Sequence, residues 1–430
     1  MSAPAQSADF AVSERYRRYV LGLLLVVYVV NFIDRSIVNI LIQPIKDEFN
    51  PSDTALGFLS GTAFAIFYAT LGIPIARWAD RGTRRNIIAL ALFLWSGMTA
   101  LCGLARSFPQ LVLARIGVGV GEAGCSPPAH SLLSDYYPPE RRGRAFATYA
   151  LGIPIGTAFG YLLGGWMSQE LGWRAAFLLV GLPGVLLALV VRFTLREPPR
   201  GFSEARRELE APPAVREVAR SMWQLASFRH LAIAATLHAF VGYGLATWNA
   251  PFLVRSHGMS LAEIGLWLAG IGSLFGGLGT YLGGYLADRL LPRDARWAMW
   301  VPGISTLIAV PFAVAFYLAV DATTAIAFAG IPTFLGAMYL GPTFAITQAL
   351  APLRMRAVAS AFLLFLINLI GFGLGPQLVG ILSDLLAPRL AEESLRGALV
   401  VMVSVNLWSG VHYFLGARTL RAELAGVATR

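Results

Sequence analysis

Gly284–Arg289 reads G-Y-L-A-D-R, and Ala76–Arg85 reads A-R-W-A-D-R-G-T-R-R. Each stretch ends a long apolar run with an Asp-Arg pair, Asp80 with Arg81 and Asp288 with Arg289. Their matching places in the two halves of one chain indicate an internal repeat. Outward from these two marks, charge-sparse stretches begin at Tyr19, Ala55, Asn86, Pro109, Ala145 and Ala175. Six more begin at Leu231, Ile264, Trp297, Ala322, Ala357 and Gly397. Crossing ~30 Å of hydrocarbon takes about 20 helical residues, and lipid admits only helices or closed barrels. Alternating ten-residue strands of barrel type are not seen. The pattern predicts an all-α membrane protein with twelve transmembrane helices in two pseudo-symmetric six-helix bundles.

Composition points the same way. Of 430 residues, 56% are hydrophobic and 13% charged, about half the charged share of a soluble protein. The net charge of +10 comes almost wholly from arginine, since Lys46 is the only lysine. No G-x-x-x-x-G-K-[ST] loop can therefore be written, which argues against ATP-driven pumping by this chain. The arginines gather in alternate connections: Arg77, Arg81, Arg84 and Arg85 after the second span, Arg141, Arg142 and Arg144 after the fourth. That is a topology signal, not a nucleic-acid footprint, and it places both termini and the central linker in the cytoplasm.

The expected division is a tail at 1–18, a first bundle at 19–195, a linker at 196–229, a second bundle at 230–418 and a tail at 419–430. The prolines 198, 199, 212 and 213 mark the linker. Met1–Glu14 lacks a basic n-region and a cleavage site and reads as a cytoplasmic tail. Cys102 and Cys125 lie in apolar segments without disulfide or metal-ligand spacing.

The Asp-Arg loops, with R-I-G-V-G at Arg115–Gly119, resemble the motifs of the major facilitator superfamily over nearly the whole chain. In the first half Ala76 replaces the loop motif's leading glycine. G-I-P-I-G-T-A-F-G at Gly152–Gly160 resembles the antiporter-type motif but lacks its Gly-Pro pair, which leaves the direction of transport open. Two further strings, N-F-I-D-R at Asn31–Arg35 and G-V-G-E-A-G-C-S-P-P at Gly119–Pro128, resemble the Spinster family of lysolipid and sphingolipid transporters. Families importing organic anions carry similar strings.

Ionisable groups inside a span are costly and functional by default. Asp34 and Arg35 lie in the first span, Arg115 and Glu122 in the fourth. At ~1.5 Å per residue, Asp34 and Arg115 reach similar depth and can pair, given that the resemblance puts both helices along the cavity. Glu122 follows two turns after Arg115 on nearly the same face. Desolvation and the charge of Arg115 pull a carboxylate's protonation in opposite directions there, as proton coupling requires. The resemblance implies proton-coupling roles for Asp34 and Glu122, with Arg115 as switchable partner and Arg35 as a gate residue. A static buried salt-bridge set is the competing reading, though such pairs add little net stability over apolar packing.

In the second half His238, Tyr243, Trp248, Asn249, Tyr339 and Thr343 are the conspicuous polar or amphipathic groups and the candidates for the substrate cavity. Asp80, Arg81, Arg84 and Arg85, with Arg141, Arg142, Asp288 and Arg289, read as a cytoplasmic latch between the bundles. The Gly117/Gly121 spacing and the series Gly152, Gly156, Gly160 and Gly164 predict close helix packing. The expectation is a proton-coupled, alternating-access carrier of amphipathic or hydrophobic molecules, an exporter or antiporter in the bacterial inner membrane. It needs no cofactor beyond the proton, no metal and no nucleic acid, and acts as a monomer. The alternatives are proton symport of a small organic anion, an intramembrane lipid enzyme and a channel. Five scattered histidines supply no nucleophile–base pair for the enzyme, and duplicated halves argue against the channel.

Overall fold

The computed structural model describes residues 12–200, 202 and 214–428, and among them every regular element is helical. Span 1 is Glu14–Phe49. Span 2 joins Asp53–Gly57, a π-helical turn at Phe58–Thr62, and Ala63–Arg81. Span 3 is Arg84–Gly103, and span 4 is two pieces, Phe108–Glu122 and Ser126–Tyr136. Span 5 is Pro139–Ala150 and Gly152–Leu171; span 6 is Trp173–Thr194. The second half repeats the count. Span 7 is Ala226–His257, and span 8 runs Leu261–Ile271, a π turn at Gly272–Gly276, and Gly277–Leu290. Span 9 is Trp297–Leu318; span 10 is Ala322–Ala337 with Leu340–Leu350. Span 11 runs Arg356–Leu366, a π turn at Ile367–Phe372, and Gly373–Leu390; span 12 is Ser394–Ala428.

By length and hydropathy 10 helical runs can cross a membrane. The run 358–426 among them holds spans 11 and 12, turned at Ala391 with φ 47°. Span 4 escapes the same criterion because it is broken, which makes twelve. A short helix, Val215–Gln224, lies inside the expected linker, span 7 begins at Ala226, and span 12 stays helical past 418.

Contacts divide the chain into two compact units. Unit 1 is Met1–Leu41 with Ile66–Leu209; unit 2 is Ile42–Ala65 with Glu210–Arg430. The distal end of span 1 and the first part of span 2 thus belong to the unit of the second half.

Unit 1 is packed through small residues, as lipid-embedded interfaces are, because a missing side chain lets two backbones approach. Span 5 lies on span 1 along its glycines. A Cβ at Gly152 would meet Tyr28 at 2.9 Å, one at Gly156 the Val29 carbonyl at 2.5 Å, and one at Gly164 Ile40 at 2.8 Å. Span 4 approaches span 3 likewise, Gly117 against Met98 at 2.7 Å and Gly121 against the Trp95 nitrogen at 2.6 Å. Both glycine spacings read from the sequence are close-packing surfaces.

In unit 2, Gly279 and Gly283 of span 8 sit against the Phe334 and Met338 carbonyls of span 10. Trp248 of span 7 is wholly buried and donates to the Pro376 carbonyl at 2.9 Å. Ser409 Oγ of span 12 donates to the Ala234 carbonyl at 2.8 Å. Around these contacts Phe228, Leu231, Met299, Leu350, Leu363 and Tyr413 form one apolar core.

Candidate functional site

The break in span 4 follows from its sequence. Pro127 and Pro128 have no N–H to give the carbonyls a turn earlier, so the helix ends at Glu122 and restarts at Ser126 with prolines in its first turn. Glu122 therefore stands at the end of a half-helix in the interior of unit 1. Gly121, beside it, holds the backbone tight on Trp95.

Span 1 brings Asn31, Asp34 and Arg35 to this point, since residues three and four apart share a helix face. Asp34, Arg115 and Glu122 are at most 1% exposed. Arg35 Nε donates to Glu122 Oε2 at 2.6 Å, and its guanidinium lies 4.5 Å from the Tyr68 ring and 5.2 Å from that of Phe32. Arg115 Nη1 reaches the main-chain carbonyl of Asp34 at 3.5 Å. The Asp34 carboxylate is surrounded by Trp95, Thr99, Arg115 and Glu122. Neither of its oxygens has a hydrogen-bond partner, and nor do Glu122 Oε1, either amide atom of Asn31, the Trp95 indole N–H or the Thr99 hydroxyl.

The four charged residues singled out in the sequence thus converge in one place, with a different pairing. The expected ion pair was Asp34 with Arg115. Arg115 instead bonds to the Asp34 backbone, and Arg35, expected as a gate, is the direct partner of Glu122. Asn31, Trp95 and Thr99 were missed. Asn31 opens the very string that carries the resemblance, whereas Trp95 and Thr99 sit in an ordinary apolar span with no such signal.

Chemically, the arrangement offers two carboxyl groups out of water. One is held by a guanidinium; the other is placed to take or release a proton without breaking a hydrogen bond. A buried polar group without a partner carries the full cost of desolvation, so a carboxylate kept in that condition is a costly residue for a purely structural role.

The cavity candidates of unit 2 fare unevenly. His238 is buried and satisfied on both ring nitrogens, Nε2 by the Gly336 carbonyl at 2.8 Å and Nδ1 by Thr306 Oγ1 at 3.2 Å. Trp248 and Thr343 are fully buried, Thr343 against the Tyr413 hydroxyl at 3.1 Å, so they are packing residues and line no open space here. Asn249 accepts from the Tyr317 hydroxyl at 2.6 Å. Tyr339 packs on His238 with ring centroids 4.3 Å apart, and Tyr243, 37% exposed, stands beside Phe372. Tyr243, Tyr339 and Asn249 keep accessible surface, Tyr243 the most.

The expected latch residues bond within their own units. Arg84 is buried and ion-paired to Asp135 and to Glu197, the latter at 2.7 Å. Arg85 N–H donates to Glu197 at 2.9 Å, Arg141 pairs with Glu14 at 3.1 Å, and Arg142 donates to the Ser134 carbonyl at 2.8 Å. These contacts tie the start of the linker and the N-terminal helix to unit 1. Arg81 is exposed; the Asp80 side chain lies outside the described residues. In unit 2 Arg289 donates to Tyr285 at 2.7 Å, and exposed Asp288 borders a cavity of about 290 Å³ walled by Gly284, Ala287, Gly341 and Ala345.

Twelve spans in two halves, with buried charge on spans 1 and 4, define a multi-pass secondary transporter. The chain belongs to the Major Facilitator Superfamily, whose family model matches residues 24–376. This family and fold are those of transporters, not enzymes. The chain is 36% identical to an MFS-type efflux pump of Mycolicibacterium smegmatis over 99% of both chains. It is 29% identical to Protein spinster homolog 1 of Homo sapiens, over 94% of this chain and 82% of that one. It is 24% identical to the hexuronate transporter of Bacillus subtilis, over 90% and 93%. A crystal structure of a bacterial homolog of the human lysosomal transporter Spinster, described as inward-facing and unoccupied, superposes with a TM-score of 0.89 at 36% identity, covering 96% of this chain and 99% of that one. Within the superfamily the chain thus resembles Spinster proteins as well as an efflux pump.

Proposed function

We propose that this protein is a proton-coupled, alternating-access transporter of amphipathic, lysolipid- or sphingolipid-type or hydrophobic molecules, working as an exporter by proton antiport. The observation that carries the reading is the Asp34 carboxylate, buried and without a hydrogen bond beside the Arg35–Glu122 pair. Protonation of Asp34 changes the net charge of this cluster by one inside a medium where charge is costly. A cluster of that kind responds to a proton by rearranging its partners. Arg115, already on the Asp34 backbone, is the cation that can turn to the carboxylate when it is charged. Resemblance to an efflux pump and to Spinster proteins supports the substrate class. The Arg-rich connections support a bacterial inner membrane with both termini inside, and the protein acts as a monomer with the proton as its only coupling agent.

Proton symport of a small organic anion is the second reading, favoured by the likeness to the hexuronate transporter. Proteoliposome flux of a fluorescent lysolipid and of a small organic anion, each under an imposed pH gradient, separates the two. Gradient-dependent lysolipid flux is the expected result. Movement of the anion alone would overturn the lipid assignment.

A further inference from the structure

A second dense set of charges lies in unit 2, around Asp53. Span 1 ends at Phe49, the chain turns through Asn50 at φ 48°, and span 2 begins at Asp53. The Asp53 carboxylate is 5% exposed and takes four donor atoms. Arg255 Nη1 and Nη2 stand at 2.7 and 3.0 Å, Lys46 Nζ at 2.6 Å and Ser383 Oγ at 2.6 Å. Arg255 is fixed in turn by Gln43 through Nε at 2.7 Å and lies 5.7 Å from the Trp248 ring. The N–H groups of Asp53 and Thr54 point at the Asp384 carboxylate, at 3.0 and 2.8 Å, the arrangement a helix N-terminus favours. Two bases, from spans 1 and 7, thus meet the one carboxylate of Asp53, whose main chain is held by Asp384 of span 11.

Next to this set span 2 lies flush on span 11. A Cβ at Gly57 would meet the Pro376 carbonyl at 2.6 Å and one at Gly61 the Gly373 carbonyl at 2.8 Å, while Thr62 Oγ1 donates to Gly373 O at 2.8 Å. Gly380 faces the Asp53 carbonyl. Buried charge contributes little over apolar packing as a source of stability, but losing one partner is costly. A set built on one hub therefore holds or releases as a whole.

We propose that Asp53, with Arg255, Lys46 and Asp384, is the outer gate of the transport cycle. It is a clasp that holds the segment 42–65 on spans 7 and 11 while the outer path is closed and frees it when that path opens. The inference rests on the alternating-access reading above. It assigns a role to Lys46, the only lysine of the chain, and to Arg255.

Ser60, 3% exposed on the clasped segment, gives a near-isosteric reporter as Ser60→Cys, and both native cysteines are buried. Reaction with a membrane-impermeant maleimide added from outside is expected to be slow in the reporter protein. It should be about tenfold or more faster after Asp53→Asn or Arg255→Gln, and slow again in Asp53→Glu. Unchanged labelling in the first two variants, each eluting as folded monodisperse protein, would overturn the clasp. Fast labelling in Asp53→Glu equal to that in Asp53→Asn would also overturn it, since the charge would then not be the cause. The labelling needs no substrate. A clasp that opens as expected in a protein that moves no lysolipid would sink the lysolipid assignment and leave the gate standing.

Discussion

Arg35 Nε stands 2.6 Å from Glu122 Oε2 across spans 1 and 4, while the residue before it, Asp34, ends in a buried carboxylate that makes no ion pair of that kind and lies among Trp95, Thr99 and Arg115. Neighbours in sequence thus have opposite electrostatic situations. One side chain is committed to a pair, and the other is held in reserve beside Arg115.

The committed pair has a measurable signature. Arg35→Gln removes the guanidinium bonded to buried Glu122 and is expected to destabilise unit 1 by about 3–5 kcal/mol. Arg35→Gln with Glu122→Gln removes both charges and should recover most of that loss. Thermal unfolding in detergent of the two single variants and the double variant gives the result. Simple addition of the two single losses would show that the groups do not act as a pair.

Backbone approach makes the second prediction. A methyl at Gly156 would press on the Val29 carbonyl at 2.5 Å and Phe32 Cβ at 2.6 Å, whereas one at Gly97 meets nothing within 4 Å. Gly156→Ala is therefore expected to cost about 1–3 kcal/mol by overpacking. Gly97→Ala should leave the melting temperature unchanged or raised, through helix propensity. Equal effects would contradict the packing of span 5 on span 1.

A third prediction concerns the loop after span 8. Asp294 accepts from Arg296 N and Nε at 2.9 Å each and from Arg421 Nε at 2.8 Å, and these bonds, those of Arg296 first, hold its carboxyl well below the usual carboxylate range. A depressed native pKa stabilises at pH values above the unfolded value of about 3.9 and is lost as pH falls through the native one. The difference in melting temperature between wild type and Asp294→Asn should hold steady from pH 7 to pH 5 and shrink only below about pH 4. A difference that grows on acidification would have the wrong sign.

Twelve spans, the repeat and the glycine surfaces were legible because each is a local or periodic property of the chain. Gly152, Gly156, Gly160 and Gly164 state their packing face by spacing alone. The pairing inside the site was not legible. Depth reckoned from the helical rise places Asp34 and Arg115 level, but a guanidinium on a flexible stem reaches several residues along a neighbouring helix. Arg35, one residue and ~100° further round span 1, takes Glu122 instead. Trp248 and Thr343 read as cavity residues because polar groups in apolar spans attract notice, yet both are buried packing. The partners of Asp53 come from three other spans, 1, 7 and 11, and no periodicity announces such a set. Arg84 reads from its loop as a surface latch, and its two acid partners, Asp135 and Glu197, lie far along the chain.

The central claim is that Asp34 carries the coupled proton, and proton movement tests it most directly. Purified protein in proteoliposomes holding a pH-sensitive dye would be given lysolipid without an imposed gradient, as wild type, Asp34→Asn and Glu122→Gln. The account predicts a substrate-dependent change of internal pH in wild type that is abolished in Asp34→Asn and weakened in Glu122→Gln, with all three proteins equally folded. The same proton movement in Asp34→Asn as in wild type would contradict it.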